Sequence, residues 1–131
     1  MKEFIKYQRL TILWALFVLI MCNADFSSVG KSHLFFAGFD KLVHCGFFFV
    51  FVVFCCNGFI RQQNSGMLSY KTAFVITMMA ILFGGLIELL QLLVFTWRSG
   101  DWNDLFADAV GACMGTFSIL VTIGAIKYVK K

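Results

Sequence analysis

Four long apolar segments, separated by short polar stretches, limit most strongly how this chain can fold. They occupy residues 10–22, 42–60, 72–95 and 105–129, and most charged residues lie between them or at their ends. A transmembrane α-helix needs about 20 mainly apolar residues to cross a hydrocarbon core about 30 Å thick. Because lipid offers the backbone no hydrogen-bond partners, segments of this kind cross it as helices. The sequence therefore predicts an all-α polytopic membrane protein with four transmembrane helices.

The composition argues against a soluble domain. Of the 131 residues, 60% are hydrophobic and only 14% are charged. A soluble domain of this size has too little interior to bury that much apolar surface. We therefore treat residues 1–131 as a single transmembrane domain, with helices predicted at about residues 5–24, 40–60, 71–97 and 104–128. The phenylalanine-rich run at residues 47–54 is predicted to face lipid.

The first apolar segment is the shortest. It spans the membrane only if Ile5 and Tyr7 extend it while Lys6 and Arg9 reach toward the headgroups. Its basic flank and short apolar run also fit a cleaved signal peptide. The sequence favours a retained helix, because cleavage would discard a membrane anchor and leave three spans.

The distribution of basic residues predicts the orientation. Of the 11 lysines and arginines, eight flank one side of the predicted spans: Lys2, Lys6, Arg9, Arg61, Lys71, Lys127, Lys130 and Lys131. The other side has Lys31, Lys41 and Arg98. The positive-inside rule then places both termini in the cytoplasm. Because this asymmetry accounts for most of the net charge of +4, no nucleic-acid partner is expected.

The five cysteines indicate no metal site by their spacing. None forms a Cys-x-x-Cys pair or a zinc-ligand spacing with histidine. We interpret them as buried, unreactive thiols. The leading interpretation of the sequence therefore includes neither a metal nor a cofactor.

Polar and small residues share one face on each of the last two predicted helices. On the third helix these are Gly84, Glu88 and Gln91. On the fourth helix they are Asp104, Asp108, Gly111 and Gly115. An ionisable group in the bilayer needs a partner or a water-filled cavity, and small residues allow helices to approach closely. We predict that both faces pack against other helices; the glycine spacing is compatible with packing inside one bundle and with a homo-oligomer.

The second helix brings further polar residues to the same side of the membrane. Counting from the predicted helix ends at about 1.5 Å per residue gives a funnel open to the outside, with Glu88 deepest. Gln91 and Asp108 should lie at similar levels, and Glu88 should face the backbone near Gly111. The candidate polar site comprises Asp40, Lys41, His44, Glu88, Gln91, Arg98, Asp104 and Asp108.

Each of these residues also has a structural interpretation. Glu88 and Gln91 could form interhelical hydrogen bonds worth about 0.6 to 2 kcal/mol. Asp101 could cap the fourth helix, and Asp104 could complement its dipole. His44, Lys41 and Arg98 could anchor helix ends at the interface. Their convergence from three helices favours a functional site.

The same residues carry a resemblance to a known family. The strings DKLVH at 40–44, ELLQ at 88–91 and RSGDWND at 98–104, followed by Gly111-x-x-x-Gly115, resemble the VanZ-like family of small bacterial membrane proteins. The resemblance covers about residues 40–115; the family generally has asparagine where this chain has Asp108. It implies a protein of the bacterial cytoplasmic membrane, in a family whose founding member is associated with low-level teicoplanin resistance. It implies no settled reaction.

Three functional hypotheses follow. The first is that the protein engages a membrane lipid or lipid-linked envelope component in the outer leaflet, with Lys41, Arg98 and His44 meeting its anionic groups. The second is a membrane enzyme acting on a lipid-linked phosphate through His44 with Asp40 or Asp108, with a divalent metal held by carboxylates. The third is a small dimeric proton-coupled transporter that depends on Glu88.

Overall fold

The computed structural model describes residues 2–24, 38–64, 66–95 and 100–129. In these residues the chain forms four α-helices: α1 (Lys2–Asn23), α2 (Phe39–Gln63), α3 (Tyr70–Leu93) and α4 (Trp102–Val129). Each helix is long and apolar enough to cross a membrane. The prediction of an all-α protein with four candidate transmembrane helices is therefore confirmed.

Local interactions place the helix ends differently from the prediction. At the C-terminal end of α2, Asn64 adopts a left-handed conformation with φ of 49°, a common way to end a helix. Ser69 caps α3 by accepting a hydrogen bond of 3.1 Å from the backbone N–H of Thr72. Helix α3 ends at Leu93, four residues before the predicted end, because the N–H of Phe95 bonds to the carbonyl of Leu90, five residues earlier, and so leaves the i→i−4 pattern.

Helix α2 lies at the centre of the bundle and packs most extensively against α4. Two predicted packing glycines make this contact possible. A Cβ atom on Gly111 would overlap the backbone carbonyl of Cys45, and one on Gly115 would lie 2.8 Å from the carbonyl oxygen of Phe49. The glycine face of α4 therefore packs against α2 inside the bundle.

Helix α1 is fixed to α2 by polar contacts. Gln8 is 2% exposed and donates a hydrogen bond of 3.2 Å to the carbonyl of Cys55. Trp14 donates its indole N–H to the carbonyl of Phe47 at 2.9 Å. Because these contacts tie α1 to its neighbour, the shortest apolar segment is an integral part of the bundle.

The predicted lipid-facing position of the phenylalanine-rich run is wrong. Phe48 is fully buried and Phe51 stacks on Phe83 of α3, with ring centroids 5.5 Å apart. Phe47 packs edge-on against Trp14 of α1. The apolar side chains that do face outward include Leu13, Leu82, Phe106 and Phe117. Protein and lipid offer similar apolar surroundings, so hydrophobicity alone does not distinguish a helix face that packs against other helices from one that faces lipid.

Candidate functional site

The polar residues converge at the end of the bundle where α1 and α3 end and where α2 and α4 begin, called here the site end. Its outermost group is a cluster of charges around Lys41, in the first turn of α2. The Lys41 ammonium lies 3.1 Å from Asp40, 3.1 Å from Asp101 and 3.0 Å from Asp104. These four residues form the Lys41 cluster, which joins the starts of two helices by charge-assisted hydrogen bonds.

Asp101 belongs to the Lys41 cluster and also caps α4. Its Oδ1 atom accepts a hydrogen bond of 2.9 Å from the backbone N–H of Asn103, which confirms the predicted capping interaction. This hydrogen bond, together with the one from Lys41, holds the pKa of the Asp101 carboxyl group below its usual value. Asp101 therefore stays ionised in neutral solution and remains a partner for Lys41.

His44 and Asp108 form a buried pair deeper in the bundle. Nδ1 of His44 lies 3.0 Å from Oδ1 of Asp108. His44 is 3% exposed, and Asp108 is completely buried. Gly84 of α3 provides the space, because a Cβ atom there would lie 2.6 Å from Oδ2 of Asp108. Gly84 therefore lies where α3 contacts α4, with an aspartate of α4 as its neighbour.

Glu88 lies nearer the site end than the sequence predicts. Its Oε2 atom accepts a hydrogen bond of 2.7 Å from the backbone N–H of Asp101, just before α4. Asp108 lies at the level of Gly84 and not of Gln91. The predicted order, with Glu88 deepest and facing Gly111, is wrong, because the contact between Gly84 and Asp108 shifts the pairing of α3 and α4 by about two turns.

Gln91 makes a contact that the sequence did not reveal. Its side-chain amide donates a hydrogen bond of 2.7 Å to the carbonyl of Cys22 on α1. Cys22 lies in the last turn of α1, where carbonyl groups have no partner within their own helix. Gln91 therefore turns toward α1 and not toward Asp108. The free carbonyls at the end of a neighbouring helix are the signal that could have indicated this contact.

The site end brings together seven of the eight predicted site residues: Asp40, Lys41, His44, Glu88, Gln91, Asp104 and Asp108. Arg98, the eighth, lies outside the described residues. The hydrogen-bonded His44–Asp108 pair combines two residue types that serve in acid–base chemistry. Nothing further bears on the enzyme hypothesis, which stays a prediction.

A cleft of about 340 Å³ opens beside the polar residues, between α3 and α4. Its polar lining comes from Glu88 and Asp101, and its other lining residues are Gly85, Leu89, Leu92, Gly100, Trp102 and Leu105. Leu89 and Trp102 are also exposed on the outer surface of the bundle, so the cleft faces the surroundings of the helices. It thus combines an apolar wall with two acidic groups.

The described part of the site is rich in acceptors. It contains the carboxyl groups of Asp40, Glu88, Asp101, Asp104 and Asp108. Facing them are the ammonium of Lys41 and the imidazole of His44. Three buried oxygens have no hydrogen-bond partner: Oε1 of Glu88, Oε1 of Gln91 and Oδ2 of Asp108. The arrangement is therefore suited to hydrogen-bond donors or to a cation.

Comparisons with protein-family models, with curated proteins and with solved structures find no match to this chain.

Proposed function

We propose that this four-helix membrane protein is a VanZ-like envelope protein that binds an amphiphilic, lipid-linked component from the outer leaflet of the bacterial cytoplasmic membrane. The cleft between α3 and α4 carries the proposal, because it places an apolar wall beside acidic groups. The VanZ-like strings support it, since DKLVH and ELLQ contribute side chains to the site end.

The proposed orientation places the site end outside. The basic residues Lys2, Lys6 and Arg9 lie in the N-terminal half of α1, and Arg61 lies at the far end of α2. The positive-inside rule assigns these positions to the cytoplasm. The opposite end of the bundle, with the Lys41 cluster and the cleft, then lies at the outer leaflet, where lipid-linked envelope components are accessible.

The proposed ligand has an acyl chain and a head rich in hydrogen-bond donors. The acyl chain of the ligand would lie along Leu89, Leu92 and Leu105. There it would exchange contacts with lipid for contacts with the protein. The head would meet the carboxyl groups of Glu88 and Asp101. Hydroxyl, amide or ammonium donors suit these acceptors. Direct recognition of an anion by Lys41, as the sequence suggested, would require displacement of its three carboxylate partners.

Filling the cleft should abolish the proposed function. In Gly85→Leu, the new Cβ makes only an ordinary contact of 4.0 Å with Leu105, so the helix tolerates it while the rest of the side chain occupies the cleft. We expect that a strain lacking the gene becomes more sensitive to teicoplanin. Expression of the wild-type protein should restore the original inhibitory concentration of teicoplanin. Expression of Gly85→Leu should leave the inhibitory concentration as low as in the deletion strain.

Gly46→Leu is the matched control. Gly46 is a helical glycine at the same end of the bundle, and a Cβ added there meets no atom within 4 Å. This variant should restore teicoplanin resistance fully. Equal sensitivity with and without the gene would contradict a resistance role. Full restoration by Gly85→Leu would show that the cleft is not involved.

A further inference from the structure

We propose that His44, Glu88 and Asp108 form a binding site for a divalent transition-metal ion. The three residues come from α2, α3 and α4, and each offers one ligand atom within 4.8 Å of the other two. No pair of them is close in sequence, which is why residue spacing gave no indication of a metal site. The helix packing creates the site.

The separation of the ligand atoms fits a metal of small radius. Nδ1 of His44 and Oδ1 of Asp108 are 3.0 Å apart. Two ligands of a tetrahedral zinc ion, each about 2.0 to 2.1 Å from the metal, lie about 3.3 Å from one another. A metal ion would thus replace the proton of this hydrogen bond and lie to one side of the line that joins the two atoms. A small movement of the Glu88 side chain would add the third ligand.

Two buried carboxylate oxygens beside His44 are free to accept a cation. Asp108 is completely buried, yet its Oδ2 atom has no hydrogen-bond partner, and neither has the buried Oε1 atom of Glu88. Buried acceptors of this kind are normally satisfied. A cation bound to the carboxyl groups of Glu88 and Asp108 would place a positive charge beside both of these oxygens.

Charge balance supports a dication. Two carboxylates, one neutral imidazole and one divalent cation have no net charge together, which favours burial within a membrane protein. Lys41 cannot supply the compensating charge, because its ammonium is already shared by Asp40, Asp101 and Asp104. The Lys41 cluster has more acidic than basic groups, so it would attract a cation toward His44, Glu88 and Asp108.

The ligand types favour a transition metal over magnesium or calcium. Imidazole nitrogen suits Zn²⁺ and related ions, whereas sites for Mg²⁺ and Ca²⁺ are built from oxygen. The backbone N–H of Asp101 donates a hydrogen bond of 2.7 Å to Oε2 of Glu88 and so orients its side chain. Metal ligands in proteins are often oriented by such hydrogen bonds from neighbouring groups. Because Glu88 also lines the cleft, a metal ion could enter there and keep a coordination position open toward it.

Metal titration of the purified full-length protein in detergent, without any added amphiphile, tests this inference. Zn²⁺ should bind with one-to-one stoichiometry in calorimetry. Co²⁺ should give the visible absorption bands of a site with nitrogen and oxygen ligands. A large excess of Mg²⁺ should not displace either ion. His44→Gln, Glu88→Gln and Asp108→Asn should each weaken Zn²⁺ binding at least tenfold.

Thr77→Val is the control variant. Thr77 is a buried polar residue of α3 whose hydroxyl lies 2.6 Å from that of Thr116 on α4, away from the three ligands, and its replacement should leave Zn²⁺ affinity unchanged. If His44→Gln or Asp108→Asn does not fold, the partly exposed Glu88 provides the deciding variant. Absence of Zn²⁺ binding to the wild-type protein, or equal affinity in Glu88→Gln, would overturn the inference.

Discussion

Replacement of Gly111 by alanine is expected to destabilise the bundle by about 3 kcal/mol or more, at the upper end of the range for overpacked sites. The added Cβ would overlap the backbone carbonyl of Cys45 on α2. A backbone atom cannot rotate away as a flexible side chain can, so α2 and α4 must separate. Since α2–α4 is the most extensive helix pair, the whole bundle should lose stability. Denaturant unfolding in mixed micelles measures the effect.

Gly124→Ala on the same helix is the control for this prediction. A Cβ at position 124 meets nothing within 4 Å, so this variant should be as stable as the wild type or slightly more stable, because alanine favours helix. Equal stability of Gly111→Ala and Gly124→Ala would contradict the close α2–α4 contact. A change in oligomeric state without loss of stability would assign the glycine face to a homo-oligomer.

Removal of one partner from the His44–Asp108 pair is expected to cost about 3 to 5 kcal/mol, as when a buried ion pair loses one member. In His44→Leu, the completely buried carboxyl group of Asp108 loses its only described hydrogen-bond partner. The double variant His44→Leu with Asp108→Leu should regain much of that stability, since apolar side chains can fill the space without desolvation cost. Unfolding in metal-free buffer would give the coupling energy.

The Thr77–Thr116 pair provides the comparison. Its two hydroxyl groups lie 2.6 Å apart between α3 and α4 and carry no formal charge. A double-mutant cycle with valine at both positions should give a coupling of only about 0.6 kcal/mol. Additive effects of the His44 and Asp108 substitutions, with no more coupling than the threonine pair, would show that the histidine and the aspartate do not depend on each other.

The sequence predicts the helices well because lipid leaves the backbone few alternatives. It also predicts which residues share a face, since Asp104, Asp108 and Gly111 follow helical periodicity. The glycines predicted to pack between helices follow the same periodicity. Periodicity says which side of a helix is polar, and polar or small sides turn toward other helices.

The sequence could not predict which residues of neighbouring helices lie opposite one another along the bundle. The expected position of Glu88 depended on where α3 ends, and at that end the N–H of Phe95 bonds to the carbonyl of Leu90 instead of continuing the helical pattern. The contact between Gln91 and Cys22 depends on how α1 is rotated against α3, which no local pattern specifies. The cleft is equally invisible in the sequence, because it is the space left between side chains of two helices.

Photo-crosslinking in bacterial membranes tests the proposed cleft ligand most directly. A photoreactive amino acid at Leu89, which lines the cleft, is compared with one at Leu82, which is 73% exposed on the same helix and does not line it. We expect a discrete lipid-linked species at position 89 that disappears when Gly85→Leu is added, and a mixture of bulk phospholipids at position 82. The same mixture at both positions would contradict binding of a specific amphiphile in the cleft.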